Sequence, residues 1–508
     1  MAPRTPREST RKSPRAKTPS QARSKSPAPR PARAVGKSPA RASSPAAKTR
    51  ASGKDAQEDW VSLNMGNQAL LSGEVLKVVI GSLILLGCSP MFALVLVHAN
   101  INLEGSWLAL WHRIVAAGFF GAMNEAIPAW SEIFVGVQVA AVFLVLQMAI
   151  MWLMPGNMHT GPIAPSGHVP VYKANGVQAF LFTIFLWAAG AHLGFFKAGF
   201  IYDIFAPFIA ACNVIALALC VILYFKGRFA PSTPDAGHTG NLAFDIFWGT
   251  ELYPRFGHSL WAVGFDVKLL TNCRFGMMFW GVGVLSLAAK QYELYGFVSS
   301  SMLVSAAIQV VYVLKFFLWE MGYMCTMDIQ HDRAGFYICW GCMVWVPSMY
   351  TCHTLFLTNH PYALGTPLTV FLLLLGVASV YINYDADRQK TTFRESKGKC
   401  TIWGKPARKI EAQYLTSTGA KKTSLLLLSG WWGVSRHFHY VPELMAAFVW
   451  CAPTLWEGSL AGFTYFIFLS ILLTDRSFRD DARCRSKYGD YWTQYCAAVP
   501  YKIVPYLL

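Results

Sequence analysis

The strongest constraint on this chain is a recurrence of apolar runs suited to crossing a bilayer. From Glu74 onward they occupy Val75 to His98, Phe134 to Met154, Val177 to Phe196, Phe205 to Phe225, Phe275 to Ala289, Ser299 to Trp319, Phe336 to Leu357 and Pro367 to Ile382. Within a bilayer every backbone polar group must find its partner inside the segment, so runs of about 20 apolar residues become helices. They predict an all-α polytopic membrane protein. Two further stretches raise the expected number of transmembrane helices to about ten. Trp107 to Phe120 is short and carries His112 and Arg113, which predicts an interfacial or re-entrant helix. Leu444 to Leu473 is broken by Pro453 and by Glu457-Gly458, which predicts two short helices in a hairpin.

Composition agrees with that class. Of 508 residues, 54% are hydrophobic and only 14% charged, against about 25% charged in soluble domains. That composition argues against a water-soluble globular enzyme. The formal charge of +17 looks like that of a nucleic-acid binder, but it is unevenly placed: residues 1 to 54 hold fifteen Lys and Arg against one acid, Glu8. Residues 1–58 lack the apolar side chains that would offset the entropy of ordering, so they are expected to be a disordered basic tail, with a membrane domain over 59–508. Six Ser/Thr-Pro steps, at Thr5, Ser13, Thr18, Ser26, Ser38 and Ser44, mark it for proline-directed phosphorylation. Three roles fit such a tail: a solvated cytosolic segment, a polyanion- or anionic-lipid-binding segment, and a transit peptide.

Orientation follows from the basic loops. Asn383 to Ser424 carries ten Lys and Arg against four acids, and Arg476, Arg479, Arg483, Arg485 and Lys487 follow the last apolar block. The positive-inside rule places these regions and the tail in the cytosol. The twelve cysteines show no regular spacing. Cys339 and Cys342 form a C-x-x-C inside an apolar run, where buried thiols are expected rather than a redox or zinc pair, and no metal site is expected.

Three polar constellations stand out. In Thr326-Met-Asp-Ile-Gln-His-Asp-Arg333, Asp328, His331 and Asp332 lie beside a span that ends at Trp319-Glu320. Ionisable groups at membrane depth are expensive and point to function, although a charge cluster capping helix ends is an equal alternative. Lys390 and Arg394 stand four apart, which puts two cations on one helix face, suited to phosphate. Asp480, Arg483, Cys484, Lys487 and Tyr488 recur at helical spacing as one stripe of acid, bases and an aromatic ring. Between the last two lies a polar-aromatic strip with Arg436, His437, His439 and Tyr440, suited to the wall of a cofactor pocket or to an interfacial belt. No G-x-G-x-x-G follows a strand, so a dinucleotide held here is not held by a Rossmann unit.

The chain resembles the sterol reductases that use NADPH. The resemblance is carried by Gly240-Asn-Leu-Ala-Phe-Asp245, Gly249-Thr-Glu-Leu-Tyr-Pro-Arg255, Asp328-Ile-Gln-His-Asp-Arg-Ala-Gly-Phe336, Ser429-Gly-Trp-Trp-Gly-Val-Ser-Arg-His-Phe438, Cys484-Arg-Ser-Lys-Tyr-Gly489 with Trp492, and Pro170-Val-Tyr-Lys-Ala-Asn-Gly176. It spans roughly residues 75 to 508 and is closest to the branch that reduces the C7=C8 bond of 5,7-diene sterols. His439-Tyr-Val-Pro-Glu443 and Tyr384-Asp-Ala-Asp-Arg-Gln-Lys390 are similar to the plant and algal version; the animal version has Asn at the position of His439. Three rivals stand beside this branch: delta-14 reduction, a chromatin or lamina tether resembling the lamin B receptor, and a transporter, for which no internal repeat is found.

The resemblance implies an endoplasmic reticulum membrane enzyme whose cofactor part is about 383–508, with a sterol substrate and other sterol-pathway enzymes as partners. Cofactor contacts would fall on Lys390, Arg394, Leu427, Trp432, His439, Tyr440, Asp480, Cys484, Arg485, Ser486, Lys487, Tyr488 and Tyr495. A diene is too electron-rich to take hydride directly, so a proton added at C8 must first leave positive charge at C7, allylic to C5=C6. Glu320, Tyr323, Asp328 and His331 are the candidates for proton donor or relay. Because the tail has no residues with which to build a cavity, removing residues 1–54 is expected to leave sterol reduction in a membrane preparation intact. Any binding of the full-length protein to DNA or anionic vesicles should weaken steeply with salt and disappear on truncation.

Overall fold

The structure is a computed structural model that describes residues 75–164, 166–257, 264–415 and 421–507, with side chains from residue 79 onward. The basic tail and its expected disorder lie outside the described residues. The remainder is mostly helical. Helix α1 spans Val75–Asn102, α2 Trp107–Glu125, α3 Trp130–Leu153, α4 Gly176–His192, α5 Phe205–Phe229, α6 Met277–Tyr295, α7 Ser300–Leu318, α8 Thr366–Glu395, α9 Tyr440–Cys451, α10 Leu460–Tyr488 and α11 Asp490–Ala498. Strands are small antiparallel pairs, among them β1 (Asn157–Thr160) with β2 (Val171–Ala174), and β3 (Lys409–Leu415) with β4 (Lys421–Leu427) in the register Lys409 to Leu427. Among the described residues six segments are long and apolar enough to cross a membrane: Val79–Asn102, Trp107–Leu153, Phe205–Phe229, Ser300–Leu318, Thr366–Glu395 and Leu460–Tyr488. Gly176–His192 is a shorter apolar helix.

Several segments differ from their sequence expectation. The stretch from Trp107 is a 19-residue helix that reaches Glu125, interrupted at Gly118, whose φ of 74° no right-handed helix contains. The apolar block from Leu444 does break at Pro453 and Gly458, but its second arm is long: α10 runs 29 residues, because no breaker occurs between Leu460 and Tyr488. The runs expected at Phe275 and Phe336 both open on wide π-helical turns, Leu269–Gly276 and Phe336–Trp345. These turns pack against each other. Asn272 donates to Cys342 Sγ at 3.0 Å, and a side chain on Gly276 would collide with the Cys342 carbonyl. Insertion of an extra residue into a helical turn is a local cost that such a contact offsets. Cys339 and Cys342 are buried thiols that form no disulfide.

Side-chain caps set the helix starts. Ser106 accepts from Ala109 N, Ser299 from Met302 N and Ser459 from Gly462 N. Ser459 also donates to the Gly105 carbonyl at 3.1 Å, which ties the start of α10 to the turn between α1 and α2. Two apolar cores form. One gathers Met278, Trp280, Ile308, Phe356, Trp450 and Tyr465; the other centres on Phe205, Phe208, Phe275, Phe279 and Trp340, with Phe208 and Phe279 stacked at 4.5 Å. Helix α8 packs on α7 and α9, and α9 packs on α10.

Several charged residues inside this apolar body are paired. Arg274, fully buried, donates through Nη2 to Glu320 Oε2 at 3.1 Å and to Asn175 Oδ1 at 2.8 Å, and its Nη1 meets Glu320 Oε1. A Cβ on Gly176 would lie 2.6 Å from Glu320 Oε2, so a glycine is required for this clamp to close. Removing one partner of a buried ion pair strands the other charge. Arg274→Met is therefore expected to destabilise the protein by about 3–5 kcal/mol, and Arg274→Met combined with Glu320→Met by less than the sum of the two single changes. Thermal unfolding in detergent checks both.

Candidate functional site

The side chains that carry chemistry meet around one residue, Arg476, in the second half of α10. Arg476 Nη2 donates to both carboxylate oxygens of Asp328 at 2.6 Å. One turn later Arg479 stands 3.6 Å from Asp332. Lys268, also buried, donates to the Ile329 carbonyl at 2.8 Å, so the turn that presents Asp328 and Asp332 is fastened from two sides. Tyr323, Tyr350, Tyr440 and Glu443 all lie within electrostatic reach of Arg476. These groups are deep in the protein, yet each keeps part of its surface accessible. Together they border one partly accessible region beside Arg476, the cleft.

The four donor or relay candidates have different surroundings. Glu320 sits in the Arg274 clamp, away from any exposed surface. Asp328 is gripped by Arg476 through both of its carboxyl oxygens. Burial pushes the His331 imidazole well below its usual range, with Arg483, Lys487 and Lys268 adding to the shift, so it is neutral at pH 7. Tyr323 packs its ring on Phe316 at 5.1 Å. Burial keeps its hydroxyl protonated, while Arg476 is the nearby group that would stabilise the phenolate left by proton transfer.

A second cluster, at the level of the β3–β4 hairpin, holds most of the cofactor candidates. Lys390 Nζ stands 3.9 Å over the Trp432 ring, and Trp432 Nε1 is anchored to the Ala386 carbonyl at 2.8 Å. Leu427 packs beside Trp432 in a small core with Phe393 and Ile402. The His439 ring lies between Trp432 and Tyr440, at 4.9 and 4.3 Å, and His437 stacks on Tyr440 at 5.2 Å. Asp480 accepts from Arg483 at 3.1 Å and from Cys484 Sγ at 3.8 Å. Lys487 lies 4.4 Å from the Tyr414 ring and 5.1 Å from that of Tyr488, whose hydroxyl meets Ser424 Oγ at 3.3 Å. Tyr495 is buried on α11 against Trp492, in a small core flanked by Cys484 and Tyr488.

Three candidates are exposed at the edge of this cluster: Arg394, one turn beyond Lys390 on α8 and within electrostatic reach of Lys390, Lys487 and Tyr488, and Arg485 and Ser486 on α10, with Arg485 3.6 Å from Asp481. Other residues of the site were not singled out from the sequence. Arg476 enters there only as a basic residue, although it lies four before Asp480 and extends the same helical stripe by one turn. Lys315, the only charged residue of its apolar run, pairs with Asp387 at 3.3 Å and with Asn383. Tyr312 donates to Glu443 at 2.5 Å. A lone charge in an apolar run was the available signal for Lys315; nothing local marks Tyr312.

Comparison with known proteins bears on what this arrangement serves. Residues 71–508 match the ergosterol biosynthesis ERG4/ERG24 family. The chain belongs to this family. A 7-dehydrocholesterol reductase of Arabidopsis thaliana is 48% identical over 425 residues, covering 83% of this chain and 95% of that protein. A 7-dehydrocholesterol reductase of Xenopus laevis is 39% identical over 352 residues, 69% of this chain and 73% of the relative. A Delta(14)-sterol reductase of Methylotuvimicrobium alcaliphilum is 36% identical over 359 residues, 71% and 80% of the two chains. The ERG4/ERG24 match takes in both the cleft and the hairpin cluster, and with the apolar helices it makes the protein a multi-pass membrane protein.

The hairpin cluster is chemically suited to a ligand with phosphates, hydroxyls and a planar ring. It offers two lysines over aromatic faces. It also offers His437 Nε2 and His439 Nδ1, buried ring nitrogens with no hydrogen-bond partner among the described residues. Burial pushes His437 down to about 4, with Asp480 opposing the shift and Lys390 and Arg436 adding to it. The folded pKa lies below the ordinary value of about 6.5, so the unfolded chain binds a proton first as pH falls. Stability from this residue is therefore present above pH 6.5 and lost progressively toward pH 4, on the order of 3 kcal/mol over the whole window. His437→Gln should flatten that part of the pH profile of thermal unfolding.

Proposed function

We propose that this sterol reductase of sterol biosynthesis reduces the C7=C8 bond of 5,7-diene sterols with NADPH, from the endoplasmic reticulum membrane. The membrane domain would span 59–508, with the cofactor part at about 383–508 facing the cytosol, and the basic tail would serve contact with polyanions or anionic lipid. The observation that carries the reading is the position of two clusters on one helix. On α10, Arg476 borders the internal cleft, and Asp480, Cys484 and Lys487 follow it into the cation-and-aromatic cluster. A buried apolar substrate and a charged, water-soluble cofactor can then meet without either leaving its own medium.

NADPH, when bound, supplies the hydride. Lys390 would hold phosphate with Arg394 and Lys487, the second and third cations available on that side, and Asp480 would accept from hydroxyls. Leu427, Trp432, His439, Tyr440, Tyr488 and Tyr495 would form the walls, with Cys484, Arg485 and Ser486 on the flanking turn. On the cleft side, Tyr323 is the best proton donor of the four candidates. Glu320 and Asp328 are taken up in ion pairs with Arg274 and Arg476, and His331 is neutral, whereas a phenol kept protonated by burial retains its proton until a basic centre faces it. Asp328 and His331 would serve as relay and support, Asp328 by holding Arg476 beside Tyr323. The buried cleft excludes the water that would otherwise capture a cationic sterol.

Similarity to a Delta(14)-sterol reductase keeps one alternative, reduction of 8,14-dienes, in view. Supplying the membrane-inserted protein with NADPH and either a 5,7-diene or an 8,14-diene sterol decides between them; reduction of the 8,14-diene alone would overturn the proposed bond. Lys390→Ala is expected to raise the KM for NADPH about tenfold or more with little change in that for sterol, as loss of a charge-assisted hydrogen bond implies. Tyr323→Phe should lower kcat by about 10²–10⁴ with both KM values nearly unchanged.

A further inference from the structure

One acid in the cleft has no part in cofactor binding or proton donation. Glu443 stands in the first turn of α9, three residues after Tyr440. Tyr312 of α7 donates to its Oε1 at 2.5 Å. Among the described residues nothing donates to Oε2, and that oxygen is not sealed by surrounding atoms. It is a partly accessible acceptor without a donor among the described residues. The nearest cation on α7, Lys315, is already held by Asp387 and Asn383.

The surroundings are aromatic, as suits a flat, rigid, apolar ligand. Tyr312 packs against Trp280 at 5.3 Å and Trp450 at 5.4 Å, and Tyr350 against Tyr465 at 4.6 Å. Along α7, Tyr312 lies one turn before Phe316, the ring that touches Tyr323. The residues of α7 that touch Glu443 and Tyr323 are thus about 6 Å apart along the helix axis, four residues at 1.5 Å each. A 3β-hydroxy sterol carries its single polar group on ring A, one ring away from the C7–C8 bond of ring B. A hydroxyl taken from water into an apolar cavity without a partner costs about 1–3 kcal/mol, so a cleft that binds such a molecule must supply an acceptor.

We propose that Glu443 Oε2, aimed by the hydrogen bond from Tyr312, accepts the 3β-hydroxyl of the sterol and so sets which bond of the ring system faces Tyr323. This rests on the sterol-reductase reading and makes Glu443 and Tyr312 positioning residues.

The test uses the full-length protein in lipid nanodiscs with NADPH and two substrates, a 3β-hydroxy-5,7-diene sterol and its 3-deoxy counterpart. The wild type is expected to prefer the hydroxylated sterol in kcat/KM by about ten- to a hundredfold, the worth of one hydrogen bond to a charged group. In Glu443→Leu combined with Tyr312→Phe, which removes both partners together, reduction of the hydroxylated sterol should fall about tenfold or more and that of the 3-deoxy sterol far less. The KM for NADPH should not move. Glu443→Gln, of the same shape but uncharged, should lower the preference severalfold and guards against misfolding of the double variant. A wild-type preference retained in either folded variant overturns the assignment, as does a wild type that reduces both substrates equally well. A wild type that reduces neither sterol overturns the sterol-reductase reading itself, and the assignment with it.

Discussion

The ion pair between Arg476 and Asp328 is the contact on which the functional half of the molecule depends. Each charge alone inside an apolar body would carry a penalty of several kcal/mol, and together they satisfy one another through two hydrogen bonds from a single nitrogen. The pair also joins distant parts of the chain. Asp328 belongs to the irregular segment after α7, and Arg476 to the long helix near the C-terminus, 148 residues on. Arg479 with Asp332 and Lys268 with the Ile329 carbonyl repeat the link a turn away. Tyr323 and His331 hold their positions because the backbone between them is fastened at these points.

Helix α10 turns that link into a division of labour. Positions spaced by about four residues fall on one helix face, so Arg476, Asp480, Cys484 and Lys487 succeed each other from the enclosed cleft toward the hairpin and α11. The apolar first half of the same helix packs on α9 and on the helix Cys352–Asn359. A single continuous rod thus spans an apolar environment and a polar one. Any shift of the rod along its axis would disturb both ends together, which couples sterol-side and cofactor-side geometry in the proposed function.

Some of the buried polarity elsewhere follows the same rule. The Arg274 clamp, the Lys315 pair with Asp387 and the Trp280–Gln309–Thr354 chain each close a polar group that lies within an apolar run. Glu443 keeps one oxygen both without a donor among the described residues and partly accessible, which leaves that oxygen available to a ligand.

Much of this was legible in the residue order. Apolar runs mark the helices because a bilayer-crossing segment must be both apolar and internally hydrogen-bonded, and the 3.6-residue period is enough to place Asp480, Cys484 and Lys487 on one face. Motif likeness alone pointed to the ERG4/ERG24 family. What the residue order left open has a common cause: it depends on partners far away in the chain. The π-helical turns at Leu269 and Phe336 exist because each packs on the other, and α10 is long because no local breaker opposes its continuation past the apolar block. Glu320 reads locally as an available acid, and only Arg274 and Asn175, 46 and 145 positions earlier, make it a clamp. The cleft around Arg476 and the acceptor held by Tyr312 likewise come from segments that local pattern treats as separate; tertiary packing alone brings them to one place.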